Sequence, residues 1–170
     1  KPKAAKPLTD EDITAEYDRL VSQMQIAYGK SGLTEAVQFV DWIKVSTQPY
    51  QSGTHGGRYV VNTANTTAKD YLKYEKAGKM PVGAILAKPS FIPKADHKSE
   101  LGPLFIMEKM AEGWNADSLD WKYTMVLPNG KIWGETKGTN SKGMNFCFDC
   151  HNAVGEDQDA LFFLPEEYRR

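Results

Sequence analysis

The stretch LDWKYTMVLPNGKIWGE, residues 119–135, decides the fold class, because two strand-like runs flank a Pro-Asn-Gly turn. The preceding run, residues 103–113, predicts a further strand, and residues 82–93 form another β-type run. Residues 43–50 and 58–62 also favour strands, the second after a glycine-rich turn. The chain therefore carries several strands in a row that short turns can join.

Helical patterns precede and interrupt these strands. A first helix is predicted after an N-cap at Thr9 or Asp10, since apolar residues then recur at helical spacing. These residues are Ile13, Tyr17, Leu20 and Met24. A shorter helix is predicted to end near Trp42, and a third to end at Gly78. Strands outnumber parallel crossovers, so the fold class is α+β, a mainly antiparallel β-sheet with packed helices.

Length and charge narrow the classes of protein. The chain has 170 residues, and we assign residues 10–170 to a single domain after a flexible lead-in, residues 1–9. The lead-in is typical of what remains once a signal peptide or lipid anchor is removed. A net charge of −1 argues against a nucleic-acid partner. No apolar run approaches the ~20 residues of a membrane span.

The segment CFDCH, residues 147–151, has the pattern of a c-type haem attachment site. The Cys147 and Cys150 thiols would add to the two vinyl groups of one haem c, and His151 would be the proximal ligand of its iron. Zinc would need a fourth ligand, and His55 and His97 lie in distant segments. A thioredoxin-like dithiol would require a βαβ context, which this C-terminal position does not offer.

The position of this motif bears on what the haem does. Small electron-carrying cytochromes are usually shorter and helical, with the motif near the N-terminus. Here it follows a long β-rich body. Attachment of haem c takes place outside the cytoplasm, so we expect an exported, periplasmic protein.

Several blocks resemble one known family. THGGRYV, YEKAGKMPVGAILAKPSF, LGPLFIMEKM, DWKYTMVLPNGK and CFDCHNAVGEDQDALFF together look like the cytochrome P-460 family, which includes the cytochromes c′-β. The resemblance covers roughly residues 40 to 165. It implies an antiparallel sheet with helices, a homodimer, and a five-coordinate haem c that binds nitric oxide. It also implies hydroxylamine oxidation in members whose haem carries a lysine cross-link, which the c′-β proteins lack.

The resemblance places the cross-linking lysine at Lys88, after the segment from Gly78 to Gly83. In a strand, Ala84, Leu86 and Lys88 would share one face, and a lysine in an apolar pocket would lose proton affinity. The neutral amine is the nucleophile that a cross-link requires. A solvated lysine at the end of a strand is the alternative.

Three further residues are candidates for the distal pocket. Arg58 falls where the resemblance allows an arginine that hydrogen-bonds a bound N-oxide, although it could instead pair with a surface acid. His55 could be a distal base, a sixth ligand, or a turn histidine. Glu108 would share a strand face with Ile106 and Met110, either as a buried proton relay or at the wet edge of the sheet.

These observations predict a periplasmic monohaem cytochrome with an open iron position that binds or oxidises hydroxylamine or nitric oxide. Its electrons would pass to a redox partner cytochrome. One alternative is a non-catalytic nitric oxide-binding protein with a free Lys88. The other is a six-coordinate electron carrier, with His55 or a methionine as sixth ligand.

Overall fold

The computed structural model describes residues 6–170, so residues 1–5 of the predicted lead-in lie outside the described residues. Its α-helices are α1 (Asp10–Gly29), α2 (Glu35–Gln38) and α3 (Asn145–His151). Its strands are β1 (Ile43–Lys44), β2 (Tyr50–Gln51), β3 (Tyr59–Val60), β4 (Thr63–Ala64), β5 (Ile85–Lys88), β6 (Ser90–Ile92), β7 (Glu100–Leu101), β8 (Leu104–Lys109), β9 (Trp121–Val126) and β10 (Ile132–Glu135). The 3-10 helices are Phe39–Asp41, Thr66–Lys76, Ala95–His97, Ala116–Ser118, Ser141–Met144, Asn152–Val154, Glu156–Gln158 and Glu166–Tyr168. Within residues 6–170, no helix has both the length and the apolar character that a membrane crossing demands.

Helix α1 begins at a capping box, which confirms the predicted start. The Thr9 hydroxyl accepts a hydrogen bond from the Asp12 backbone N–H at 3.1 Å, and the Asp12 carboxylate accepts one from the Thr9 N–H at 2.9 Å. These two bonds satisfy backbone donors that the first turn leaves free. The helix buries the predicted apolar stripe, together with Tyr28. This stripe is what the sheet packs against.

The strands form two sheets in which every pair is antiparallel, as the sequence predicts. The larger sheet has the order β1-β4-β5-β8-β9-β10, and the smaller has the order β2-β3-β6-β7. The Pro-Asn-Gly turn joins β9 to β10, where the Leu127 carbonyl accepts from the Gly130 N–H at 2.8 Å. Gly130 takes a φ of +84°, which glycine adopts without the steric cost of a side chain. The α+β class is therefore confirmed.

The six-stranded sheet has two unlike faces, because successive residues of a strand point to opposite sides. In the pairing of β5 with β8, Ala87 lies opposite Ile106, and Lys88 lies opposite Phe105. We call the side packed against α1 the closed face; it includes Ala87, Leu104, Ile106 and Val126. We call the other side the open face; it includes Leu86, Lys88, Phe105 and Met107, which border a cavity.

Several predicted elements differ from the structure. Only Tyr59–Val60 of the predicted strand 58–62 forms a strand, β3, and β4 begins after it. The predicted strands 43–50 and 82–93 each divide into two strands that belong to different sheets, β1 and β2 in the first case and β5 and β6 in the second. The third predicted helix is a 3-10 helix, Thr66–Lys76, interrupted at Tyr74, whose φ is +51°. The Tyr74 ring packs edge-on against Phe163 and lies 4.5 Å from the Arg169 guanidinium carbon. Contacts with the C-terminal segment therefore accompany the departure of Tyr74 from helical geometry.

Candidate functional site

Helix α3 carries the two cysteines and the histidine of the CFDCH segment. Residues three and four apart lie on one face of a helix, so Cys147, Cys150 and His151 point in one direction. All three line the same cavity. Both thiols are free, Cys147 half-buried and Cys150 exposed. Burial raises the pKa of the Cys147 thiol to about 12. The helix thus presents two thiols and an imidazole together.

The His151 ring is fixed by a backbone carbonyl and two aromatic rings. Its Nδ1 lies 2.8 Å from the Ala160 oxygen, and since a carbonyl only accepts, Nδ1 carries the proton. Ring centroids of Tyr123 and Phe162 lie 5.3 Å and 5.1 Å from that of His151. Burial lowers the pKa of His151 to about 4. The imidazole is therefore neutral, and its Nε2 lone pair is available to a metal.

The cavity beside α3 has a volume of about 360 Å³. Its walls come from four parts of the chain: the open face, the segment 50–55, α3 itself, and the segment 161–165. Most of the exposed lining is apolar. Such a lining suits a flat, largely apolar ligand held by a few polar groups.

Lys88 stands at the end of β5 on the open face and lines the cavity. Burial lowers the pKa of its ammonium to about 8. A fraction of the side chain is therefore the neutral amine near neutral pH. Pro89 follows directly and favours extended backbone at Lys88. The structure brings this lysine into one cavity with the cysteines and His151.

His55 lies in the segment between β2 and β3 and also lines the cavity. Its Nδ1 is 2.8 Å from the Ser52 hydroxyl, and its ring centroid is 4.6 Å from that of Phe105. Burial, followed by the positive charges of Lys88 and His151, lowers the pKa of His55 to about 3. A neutral imidazole held at Nδ1 has its Nε2 free to exchange a hydrogen bond with a ligand.

Arg58 and Glu108 lie outside the cavity lining. The Arg58 guanidinium turns back and donates to the His55 carbonyl at 3.2 Å. Glu108 does share a strand face with Ile106, but that is the closed face, where it pairs with Lys122 at 3.2 Å. The distal roles of Arg58 and Glu108 therefore stay predictions, without a contact to the cavity in their support.

The sequence analysis missed two polar residues of the cavity. Ser52 holds His55 in place, and its only sequence signal is its spacing of three residues from that histidine. Tyr123 is 3% exposed, and among residues 6–170 its hydroxyl has no hydrogen-bond partner. It lines the cavity beside Cys147 and His151. An orphaned buried hydroxyl is rare in native proteins, so it indicates a group that the described residues do not supply.

The residues present fit a haem. Two thiols and a neutral imidazole face an apolar cavity in which a buried hydroxyl lacks a partner. A bare metal ion fits less well, because no three His, Cys, Asp or Glu side chains of the described chain are grouped to hold one. What the arrangement offers is covalent anchoring and one axial ligand on α3, with an amine and a second imidazole in the same cavity.

Comparison with known proteins identifies a related family. The family model for cytochrome P460 matches residues 37–163, most of the chain. That range contains all ten strands, α3 and the cavity residues up to residue 163, whereas α1 precedes it. The resemblance found in the sequence is confirmed. No curated protein matches the chain.

Proposed function

This chain belongs to the cytochrome P460 family, which implies haem binding, and we propose that it is a monohaem c-type cytochrome for small nitrogen oxides. The ligands we propose are hydroxylamine and nitric oxide, at an open iron position. The observation that supports this proposal is one cavity lined by Cys147, Cys150, His151, Lys88 and His55.

The residues of α3 would anchor the haem. The Cys147 and Cys150 thiols add their S–H bonds across the two vinyl groups, a step that needs no oxidant. His151 offers Nε2 to the iron, because Nδ1 is committed to the Ala160 carbonyl. When bound, the haem supplies an iron with a free coordination position and passes electrons onward.

His55 would act on the bound nitrogen compound. Oxidation of hydroxylamine releases protons together with electrons, so the site needs a proton acceptor. The neutral His55 imidazole can accept a proton at Nε2 while the Ser52 hydroxyl keeps the ring oriented. The electrons would leave to a redox partner cytochrome.

The state of Lys88 would determine whether the protein oxidises hydroxylamine or only binds a nitrogen oxide. A cross-link would replace an N–H bond of the Lys88 amine and a C–H bond of the porphyrin ring by an N–C bond. The two protons and two electrons released would go to an external oxidant such as a peroxide. A pKa of about 8 makes the amine available, which supports the cross-link and with it hydroxylamine oxidation.

A second candidate function is nitric oxide binding without catalysis, as in a c′-β-like protein. The mostly apolar lining of the cavity favours it, because such a lining suits a small uncharged ligand. Here Lys88 stays free, and the apolar cavity serves only to hold the gas.

Mass spectrometry of a tryptic digest and an absorption spectrum of the purified protein test these alternatives together. If the cross-link is present, the peptide containing Lys88 is found joined to the haem peptide, and the Soret band shifts to the red. Lys88→Met should abolish both features and the oxidation of hydroxylamine, whereas Lys122→Met on the closed face should preserve them. A linear Lys88 peptide selects the second function. A purely low-spin ferric spectrum that does not change when hydroxylamine or nitric oxide is added contradicts both functions. It would indicate the six-coordinate electron carrier instead.

We also propose that the protein is periplasmic and forms a homodimer, with residues 10–170 as one haem-binding domain. Haem c attachment outside the cytoplasm supports the location, and the family resemblance supports the dimer.

A further inference from the structure

A buried ion pair joins Lys109, the last residue of β8, to Asp159. The two side chains are 2% and 4% exposed. The Lys109 ammonium donates to the Asp159 carboxylate and, at 2.8 Å, to the Leu119 carbonyl. The other Asp159 carboxylate oxygen accepts from the Met80 backbone N–H at 2.8 Å. Both charges are thus paired and hydrogen-bonded, which their burial requires.

The main chain of Asp159 is fixed as firmly as its side chain. Its carbonyl accepts from the Trp121 indole N–H at 2.7 Å. The Lys109 ammonium lies 5.0 Å from the centroid of the same indole ring. Asp159 is therefore tied to β8, to β9 and to the residue Met80 at the same time.

The next residue, Ala160, supplies the carbonyl that accepts from His151 Nδ1. Asp159 and Ala160 have φ values of +50° and +56°, the left-handed region that non-glycine residues rarely occupy. Two such residues in succession persist only where surrounding contacts hold them. The Asp159 contacts hold this turn from outside, and within it the Ala160 N–H donates to the Gly155 carbonyl at 3.1 Å.

We propose that the Lys109–Asp159 pair is a positioning device, which holds the Ala160 carbonyl on His151 Nδ1 and so sets the donor strength of His151 Nε2 and the reduction potential of the haem. Removing one partner of such a pair leaves an uncompensated buried charge, so the pair fixes Asp159, and with it the turn, in one position. The inference rests on haem attachment to α3, a part of the proposed function, and not on nitrogen-oxide chemistry.

The direction of the effect follows from the hydrogen bond. Donation from Nδ1–H to a carbonyl makes the imidazole a stronger ligand, which favours oxidised over reduced iron. Loosening the Ala160 carbonyl should therefore weaken the iron–histidine bond and raise the potential. Removing one buried charge would also move the potential through its electric field, so a test must separate the two causes.

Three variants of the haem-loaded protein make that separation: Asp159→Asn, Lys109→Met, and the double variant. The double variant leaves the net charge unchanged and keeps an acceptor for the Met80 N–H. Because it leaves no buried charge without a partner, it should fold even where a single variant does not. The measurements are the midpoint potential and the iron–histidine stretching band in the resonance Raman spectrum of the reduced protein.

Positioning predicts a lower stretching frequency and a raised potential in the double variant, with the band also lowered in each single variant that folds. A field effect alone predicts opposite potential shifts in the two single variants, cancellation in the double variant, and an unchanged band. A double variant with the potential and band of the original protein overturns the proposal.

The matched control is Glu108→Gln combined with Lys122→Gln, which removes an ion pair on the closed face. It should leave the band and the potential unchanged, and an equal shift in this control would also overturn the proposal. The midpoint potential requires only attached haem, and the stretching band also requires a five-coordinate ferrous iron. A protein with the expected shifts but no affinity for nitrogen oxides would contradict the proposed ligands and leave this inference standing.

Discussion

The two faces of the six-stranded sheet differ in what covers them, although the same strands supply both. On the closed face, Ala87, Leu104 and Ile106 are almost fully buried against α1. On the open face, Lys88 in β5 and the neighbouring His55 line a cavity, and both have a pKa well below the ordinary value.

This difference separates stability from chemistry within one sheet. Filling the closed face removes apolar surface from water, which stabilises the fold. Leaving the open face unfilled costs stability but puts ionisable groups where burial favours their neutral forms. The following four expectations test that division, in order of decreasing effect.

Truncating a leucine on each face should show the largest difference. Leu104→Ala on the closed face should lower the free energy of unfolding by about 3–4 kcal/mol, because it leaves a void in a filled core. Leu86→Ala on the open face should cost about 1 kcal/mol, since this half-buried side chain already borders a cavity. Denaturant unfolding followed by circular dichroism measures both. Equal losses would mean that the two faces are equally well packed.

The ionisation of Lys88 should give the open face a pH dependence. Its pKa is about 8 in the folded protein, against an ordinary value of 10.5, so the unfolded state binds more protons between these pH values. The free energy of unfolding should then rise with pH across this window, by on the order of 2 kcal/mol relative to Lys88→Met. The comparison cancels the titration of the tyrosines. If the difference in the free energy of unfolding between the two proteins does not change with pH, Lys88 does not titrate, and a cross-linked lysine would behave in this way.

Replacing His55 should weaken ligand binding. His55→Leu should reduce the affinity for hydroxylamine about tenfold, or about 1.4 kcal/mol, because one hydrogen bond to the ligand is lost. Optical titration of the ferric protein measures this change. Arg58→Gln is the matched control and should bind as the original protein does, because Arg58 lies outside the cavity lining. A weaker Arg58→Gln variant would return that residue to the distal pocket.

The smallest effect should come from the charged pair on the closed face. Glu108→Gln should change the free energy of unfolding by about 0.5 kcal/mol, since its partly exposed pair with Lys122 is screened by water. Ligand affinity should not change at all. A change of affinity in the same optical titration would mean that a substitution on the closed face alters ligand binding on the open face.

The sequence predicted local features better than the walls of the cavity. Thr9 and the apolar stripe of α1 are local signals, and the hairpin turn at Gly130 is another. Strand alternation grouped Glu108 with Ile106 correctly, but alternation cannot tell which face α1 will cover. Arg58 lies outside the cavity lining because its guanidinium turns back to the His55 carbonyl, a contact that no local pattern marks.

The Lys109–Asp159 pair next to the turn that contacts His151 could not be predicted from the sequence. Lys109 and Asp159 lie 50 residues apart in sequence, and their pairing depends on how β8 meets the segment after α3. A lysine and an aspartate among many charged residues have no distinguishing spacing. Cys147 and Cys150 were recognised because their spacing is itself the chemical requirement.

The alternation of side chains along β5 also determines what a register error in this strand would do. A one-residue slip or deletion in this strand would exchange Ala87 with Lys88, since neighbouring residues face opposite sides of the sheet. The slip would drive an ammonium into the packed layer beneath α1 and leave a methyl group facing the cavity. A misregistered molecule would thus be unstable and inactive together, so quality control that removes unstable protein would remove the inactive protein as well.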